Sequence, residues 1–133
     1  MGTVFSKGRG YALTNNYRSG LEERVAKELT AQEVDFGYED RRIAYDVSEI
    51  RKYTPDFNLP NGITVETKGR FTTYDRKKHL LIQKQHPDLD IRFVFSNPNS
   101  KLYKGSKSTY ASWCEKNGFM YSKKSIPKEW LNE

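Results

Sequence analysis

Tyr53-Thr54-Pro55-Asp56-Phe57-Asn58-Leu59-Pro60-Asn61-Gly62-Ile63-Thr64-Val65-Glu66-Thr67-Lys68-Gly69 carries two short alternating runs on either side of Pro60-Asn61-Gly62. Such a turn between such runs is a hairpin signal. Loop length fixes the register, and a one-residue slip turns every side chain to the other face. A two-residue Asn-Gly loop pairs Leu59 with Thr64 and mixes apolar with polar residues. A three-residue loop with Gly62 left-handed pairs Leu59 with Ile63 and Phe57 with Val65. One face is then uniformly apolar. The other pairs Asn58 with Thr64 and Asp56 with Glu66, with Lys68 next along. The three-residue loop is the expected one.

This register sets two carboxylates side by side. Directly paired residues on antiparallel strands have Cβ atoms about 4.5–5.5 Å apart. Two like charges at that spacing are unfavourable unless a cation or a proton lies between them. A hard divalent metal with oxygen ligands suits the pair. Such an ion lowers the pKa of a bound water and neutralises a phosphodiester in its transition state. Lys68 shares the face with Glu66, roughly 6.6 Å along the strand. It could orient the water, accept its proton or balance phosphate charge. As a base it needs tuning from an ordinary pKa of about 10.4. The string Thr64-Val65-Glu66-Thr67-Lys68 also fits a plain solvated strand face, with Lys68 balancing Glu66. The Pro55-Asp56 pair ahead of it, and the turn between, favour the site.

On the N-terminal side, residues 1–18 hold Gly2, Gly8 and Gly10 among Lys7, Arg9 and Arg18 and read as a flexible basic arm. The rest, 19–133, reads as one domain. Ser19-Gly20-Leu21-Glu22 is a capping box, so a helix starts at Ser19. Leu21, Val25 and Leu29 give it an apolar stripe to about Ala31. Val34, Phe36 and Tyr38 alternate as a strand. Ile43, Tyr45 and Val47 continue the alternation, but Ser48 to Lys52 carry little core. No Gly or Pro occurs from Arg41 to Thr54, so an extended connection is expected there rather than a reversal.

On the C-terminal side, Tyr74–Gln85 reads as a helix with Leu80, Leu81 and Ile82 on one side and Arg76, Lys77, Lys78 and Lys84 on it. Ile91–Phe95 is a compact strand. Residues 97–107 form a loop with Lys101, Lys104 and Lys107. Thr109–Lys116 is a helix stopped at Asn117-Gly118. Phe119–Ser122 is a last strand, and residues 126–131 close the chain as a short turn that packs Trp130. The order of elements gives an α/β fold with a mixed sheet.

Composition limits the function. The chain has 133 residues, 23 Lys+Arg against 17 Asp+Glu, and a net charge of +6. A pI near 9.4 points to a polyanion, most simply nucleic acid. The hydrophobic fraction of 35% and the mean hydropathy of −0.88 are low for a self-contained globule, which 14% aromatic residues partly offset. No apolar run approaches the roughly 18 residues of a membrane span, and the N-terminus lacks the apolar region of a signal peptide. Cys114 is the only cysteine, which excludes an intrachain disulfide and suits a reducing, intracellular setting. It reads as a core thiol. His79 and His86 lack further ligands for a zinc site.

Pro55-Asp56 followed by Glu66-Thr67-Lys68 resembles the PD-(D/E)xK motif of restriction-enzyme-like nucleases. The likeness extends to Arg18-Ser19-Gly20-Leu21-Glu22, Leu59-Pro60-Asn61-Gly62-Ile63, Asp75-Arg76-Lys77-Lys78-His79-Leu80-Leu81, Lys101-Leu102-Tyr103-Lys104-Gly105-Ser106 and Ile126-Pro127 with Glu129-Trp130. These residues, from about 17 to 131, resemble the bacteriophage endonuclease I family of Holliday-junction resolvases. The resemblance implies a restriction-endonuclease-like mixed β-sheet flanked by helices, in an intertwined, domain-swapped homodimer. It implies catalytic roles for Glu22, Asp56, Glu66 and Lys68. Asp56, Glu66 and the Thr67 carbonyl would hold one or two Mg2+ ions per site, with Mn2+ as a substitute. Glu22 would come from one chain and the other three from its partner, with residues 46–52 as the bridge between halves. That bridge is slightly short for the family, and the chain ends without the family's basic tail. Branched DNA, above all the four-way junction, is the implied substrate. Arg18, Arg70, Arg76, Lys77, Lys78 and Lys104 are the expected phosphate contacts. Rival readings are a nicking or sequence-specific nuclease of the same superfold, and a non-catalytic DNA-binding module.

Overall fold

Ser19 starts the first helix, α1 (Gly20–Ala31), by accepting the Glu22 N–H on its hydroxyl at 3.1 Å. The computed structural model describes residues 17–47 and 49–133, and the expected arm over 1–18 lies outside them up to residue 16. After α1 come β1 (Gly37–Tyr38), β2 (Ile43–Asp46), β3 (Ile50–Tyr53), β4 (Phe57–Asn58), β5 (Ile63–Lys68), α2 (Thr73–Gln85), β6 (Asp90–Phe95), α3 (Tyr110–Asn117), β7 (Met120–Lys123) and α4 (Lys128–Leu131). The main sheet runs β1-β4-β5-β6-β7, and β2 with β3 forms a separate two-stranded ribbon. β1, β4 and β5 are antiparallel neighbours, while β5, β6 and β7 are parallel. The mixed sheet is therefore present as expected.

The β4–β5 hairpin takes the three-residue loop. Phe57 pairs with Val65 and Asn58 with Thr64. The Leu59 N–H donates to the Ile63 carbonyl at 2.8 Å, and Gly62 sits at φ +94. That backbone conformation is open to glycine at little cost. The expected polar face is not solvated, however. Every residue of β5 from Ile63 to Thr67 is buried. The strand lies in the middle of the sheet with a parallel neighbour, and such strands are covered on both faces.

α1 and α4 cover one face. Val25, Ala26 and Leu29 of α1 pack there with Phe57, Leu59, Ile63, Val65, Val94 and Trp130. On the other face, Ile43, Tyr45 and Tyr53 of the ribbon join Ile82 of α2, Cys114 of α3 and the β6 residues Ile91, Phe93 and Phe95. Each fully buried side chain of this kind contributes about 1.5–3 kcal/mol. Burial pushes the Cys114 thiol up to about 12, with the Glu115 charge adding to it, in keeping with a core thiol.

The connection over 43–53 departs from expectation. It reverses on itself: Ile43 pairs with Tyr53 and Asp46 with Ile50, and the Val47 N–H donates to the Glu49 carbonyl at 3.1 Å. The reversal closes without Gly or Pro because the ribbon has other anchors. Tyr45 and Tyr53 are buried in the core, and the His86 ring bonds the Ala44 carbonyl. The α1 stripe likewise finds its partner surface on its own chain's sheet.

Candidate active site

Four elements bring acidic groups to one place. Glu22 is the third residue of α1, but it does not complete a capping box. Its Oε1 accepts the Arg18 N–H at 2.8 Å and the Tyr38 hydroxyl at 2.8 Å. The carboxylate is turned inward and buried. Asp56 stands at a bend just before β4. Its Oδ2 accepts both the Thr67 N–H, at 2.9 Å, and the Thr67 hydroxyl, at 2.8 Å. Glu39 follows β1 in the left-handed region, φ 51, with its N–H on the Asp56 carbonyl at 3.2 Å. A glutamate with positive φ is uncommon, and such conformations gather at functional sites. Carboxylate oxygens of Glu22, Glu39 and Asp56 lie within 4.8 Å of one another.

Glu66 approaches from β5. Its Oε2 accepts the Tyr53 hydroxyl at 2.5 Å, and its Oε1 lies 3.9 Å from Lys68 Nζ. Lys68 Nζ also reaches Asp75 Oδ1 at 3.3 Å, at the start of α2. Burial, then the charges of Glu66 and Glu22, push Asp56 up to about 9. Burial raises Glu66 too, against the opposing pull of Lys68 and the Tyr53 bond. Burial also pushes Asp75 up, but the Lys68 charge and the Thr72 bonds prevail and hold it low. The acids are thus crowded and short of compensating charge. A hard divalent cation matches this all-oxygen donor set and would relieve the repulsion.

The sequence reading pointed to Glu22, Asp56, Glu66, Thr67 and Lys68, and all five converge here. It passed over Glu39, Tyr38, Tyr53 and Asp75. Tyr53 lies inside the deciding stretch, three residues before Asp56, and its phenol alone signalled nothing. Glu39 belongs to no motif and arrives through backbone curvature after β1. The expected phosphate contacts divide. Arg70, Lys77 and Lys104 are exposed. Arg18 is exposed and paired to Glu39 at 3.1 Å. Lys78 is half-buried, with Nζ 5.4 Å from the Tyr53 ring centroid. Arg76 is buried instead, donating to the Phe71 carbonyl at 2.6 Å and the Thr73 hydroxyl at 3.0 Å. In this position it ties α2 to the chain before it and offers nothing to a phosphate.

Residues 1–133, the whole chain, match the family described as phage endonuclease I. The chain belongs to that family. It is 50% identical to Endonuclease I of Escherichia phage T7 over 126 residues, 94% of this chain and 85% of that protein. It is 54% identical to Endodeoxyribonuclease 1 of Enterobacteria phage T3 over 118 residues, 88% of this chain and 78% of the relative. In this phage endonuclease I family member, Asp56 and Glu66 are buried at the mixed sheet, and half-buried Lys68 lies 3.9 Å from Glu66. Among the described residues, no helix is long and apolar enough to cross a membrane.

Proposed function

We propose that this protein is a metal-dependent DNA endonuclease that cuts branched DNA, above all four-way junctions, inside the cell. One observation carries the reading: the buried carboxylates of Glu22 and Asp56 gather with half-buried Glu39, and buried Glu66, whose charge acts on Asp56, lies beside Lys68. Membership of the family, and the names of its T7 and T3 relatives, support DNA as the substrate.

Asp56, Glu66 and the Thr67 carbonyl would hold Mg2+ or Mn2+, with Glu22 as a further acidic member. When bound, the metal supplies charge for the scissile phosphate and a more acidic water. The chain does the positioning. Thr67 fixes one oxygen of Asp56 with two hydrogen bonds. Tyr53 fixes one oxygen of Glu66, leaving the other toward Lys68. Lys68 is held between Glu66 and Asp75, where its ammonium can meet phosphate charge or, once deprotonated, take a proton from the attacking water. Hydrolysis would leave 5′-phosphate and 3′-hydroxyl ends. Exposed Arg70, Lys77 and Lys104 would hold phosphates rather than read bases.

The active form is proposed to be a homodimer with exchanged halves. The ribbon turn at 47–49 is the covalent tie between residues 17–46 and 50–133. Opening it would separate Val25 and Leu29 from Phe57 and Val65, and exchange with a second copy would restore the contact. Glu22 would then serve the partner's Asp56, and two sites at fixed spacing could cut two strands of one junction.

The test is cleavage of a synthetic four-way junction and of linear duplex, with and without Mg2+. Preferential, metal-dependent cutting of the junction is expected, with Glu66→Gln binding it but leaving it uncut. Metal-independent cutting, or equal cutting of duplex, would overturn the reading.

A further inference from the structure

The β2–β3 ribbon and the first turns of α2 enclose a pocket of about 240 Å3, lined by Tyr45, Arg51, Tyr74, Lys77, Lys78 and Leu81 among others. That volume lies below the roughly 300–1,000 Å3 of a small-molecule site, and the walls leave room for about one planar ring system. Tyr45 forms a buried wall, while Tyr74 is 58% exposed, a large aromatic ring presented to solvent. The two phenols interact, and each shifts the ionisation of the other. The Arg51 guanidinium reaches the Tyr74 hydroxyl at 3.3 Å and also holds Glu49 at 3.0 Å. Among the described residues, no acidic residue lines the pocket, and three cations do.

The pocket adjoins the carboxylates. Lys78 Nζ lies 6.0 Å from the Tyr74 ring centroid and 5.4 Å from that of Tyr53, whose hydroxyl holds Glu66. Asp75, next in the chain to Tyr74, pairs with Lys68. A phosphodiester at the carboxylates therefore has its neighbouring nucleotide within reach of Tyr74.

We propose that this pocket receives one unstacked nucleotide of the DNA strand beside the scissile phosphate. Its base would lie against Tyr74, and its phosphate would meet Lys77 and Arg51. The proposal rests on the endonuclease reading and deepens it. An aromatic surface beside cations is the usual platform for single-stranded bases, which stack on it without regard to sequence. A base in continuous duplex must first leave its stack, and a base at a branch is the cheaper one to move. The pocket thus contributes to selection of branched over linear DNA.

The test uses the full-length protein in EDTA with a four-way junction carrying 2-aminopurine, placed in turn at each nucleotide flanking the cut. Wild type is expected to change the fluorescence at one position. Tyr74→Ala should abolish that change and weaken junction binding about 5- to 150-fold, with duplex binding unaltered. Tyr74→Phe, which keeps the ring, should behave as wild type. Tyr74 is exposed, so the variant should fold, and unchanged circular dichroism would show it. Tyr74→Ala with wild-type fluorescence and affinity would overturn the pocket while junction cleavage by wild type still supported the nuclease. Equal weakening on junction and duplex would make Tyr74 a general backbone contact and overturn it too. A wild-type protein that neither binds nor cuts the junction would remove the nuclease reading, and the pocket with it.

Discussion

The Tyr53 hydroxyl donates to Glu66 Oε2 at 2.5 Å, and both residues are buried. The phenol ring is held edge-on by His79, 5.2 Å between centroids, so its hydroxyl cannot swing away. This bond works to lower the Glu66 pKa against the effect of burial. Tyr53→Phe keeps the ring and removes the donor. Cleavage should fall about 10- to 100-fold, as when an outer partner of a metal ligand is lost. More metal should be needed for half-maximal rate, and the pH profile should move to higher pH, because Glu66 ionises less readily. A metal titration and a pH–rate curve decide it. If both match wild type, Tyr53 only fills space.

Asp56 is raised to about 9 from an unfolded value near 3.8. Between those values the folded state binds a proton that the unfolded chain has lost. Stability of the metal-free protein should therefore decline as pH rises through that range. Asp56→Asn, which is neutral at all pH, should stabilise the metal-free fold at pH 8 by about 1 kcal/mol or more, several degrees in Tm. The gain should shrink toward pH 4. Calorimetry in EDTA at two pH values measures it, and a gain independent of pH would refute the assigned cause.

Lys77 and Arg76 are adjacent in sequence and opposite in role. Lys77 is exposed, so Lys77→Ala should weaken junction binding at low salt and reduce the slope of log K against log salt by about one. Arg76→Ala should instead leave the Phe71 carbonyl without its partner and cost about 1–3 kcal/mol of stability. Salt titrations and chemical denaturation separate the two. The assignments fail if Arg76→Ala changes the slope and leaves stability intact.

Exchange of halves has a direct complementation test. Chains carrying Glu22→Ala are mixed and refolded with chains carrying Asp56→Ala. In an exchanged heterodimer, one site receives intact Glu22 from the second chain and intact Asp56 from the first. Nicking of a junction should return while paired cutting stays impaired. Sedimentation should show a dimer at micromolar concentration. If mixing restores nothing, each chain keeps its own Glu22 and the exchange is excluded.

The sequence disclosed most where local chemistry and register coincide. Gly62 and the alternation around it decided the β4–β5 pairing, which places Asp56, Glu66 and Lys68. Ser19 and Gly118 marked helix ends that the structure keeps, with Gly118 at φ 78. Non-local geometry was out of reach. Glu39 joins Glu22 and Asp56 through a left-handed residue after a two-residue strand, and no periodicity reports that. The ribbon turn lacks Gly and Pro, so composition alone argued for an extended segment. Burial of Thr64 and Glu66 followed from the central place of β5 in the sheet, with Tyr53 closing on Glu66, again a long-range event. Capping chemistry explained Glu22 too readily, since its carboxylate is spent on Arg18 and Tyr38 instead.

His79 lies fully buried between Tyr53 and Phe93, 4.9 Å from the latter's centroid, with neither ring nitrogen hydrogen-bonded. Burial, reinforced by the Lys68 and Lys78 charges, holds its pKa well below 6.5. The imidazole stays neutral across the working range, so its magnetic resonance signals do not follow its own titration. Those signals lie in the ring currents of Tyr53, one side chain from Glu66. With two histidines in the chain, His79→Gln identifies the resonance at once. The ring thus serves as a built-in spectator of the carboxylates, one that reports metal loading and protonation without a label.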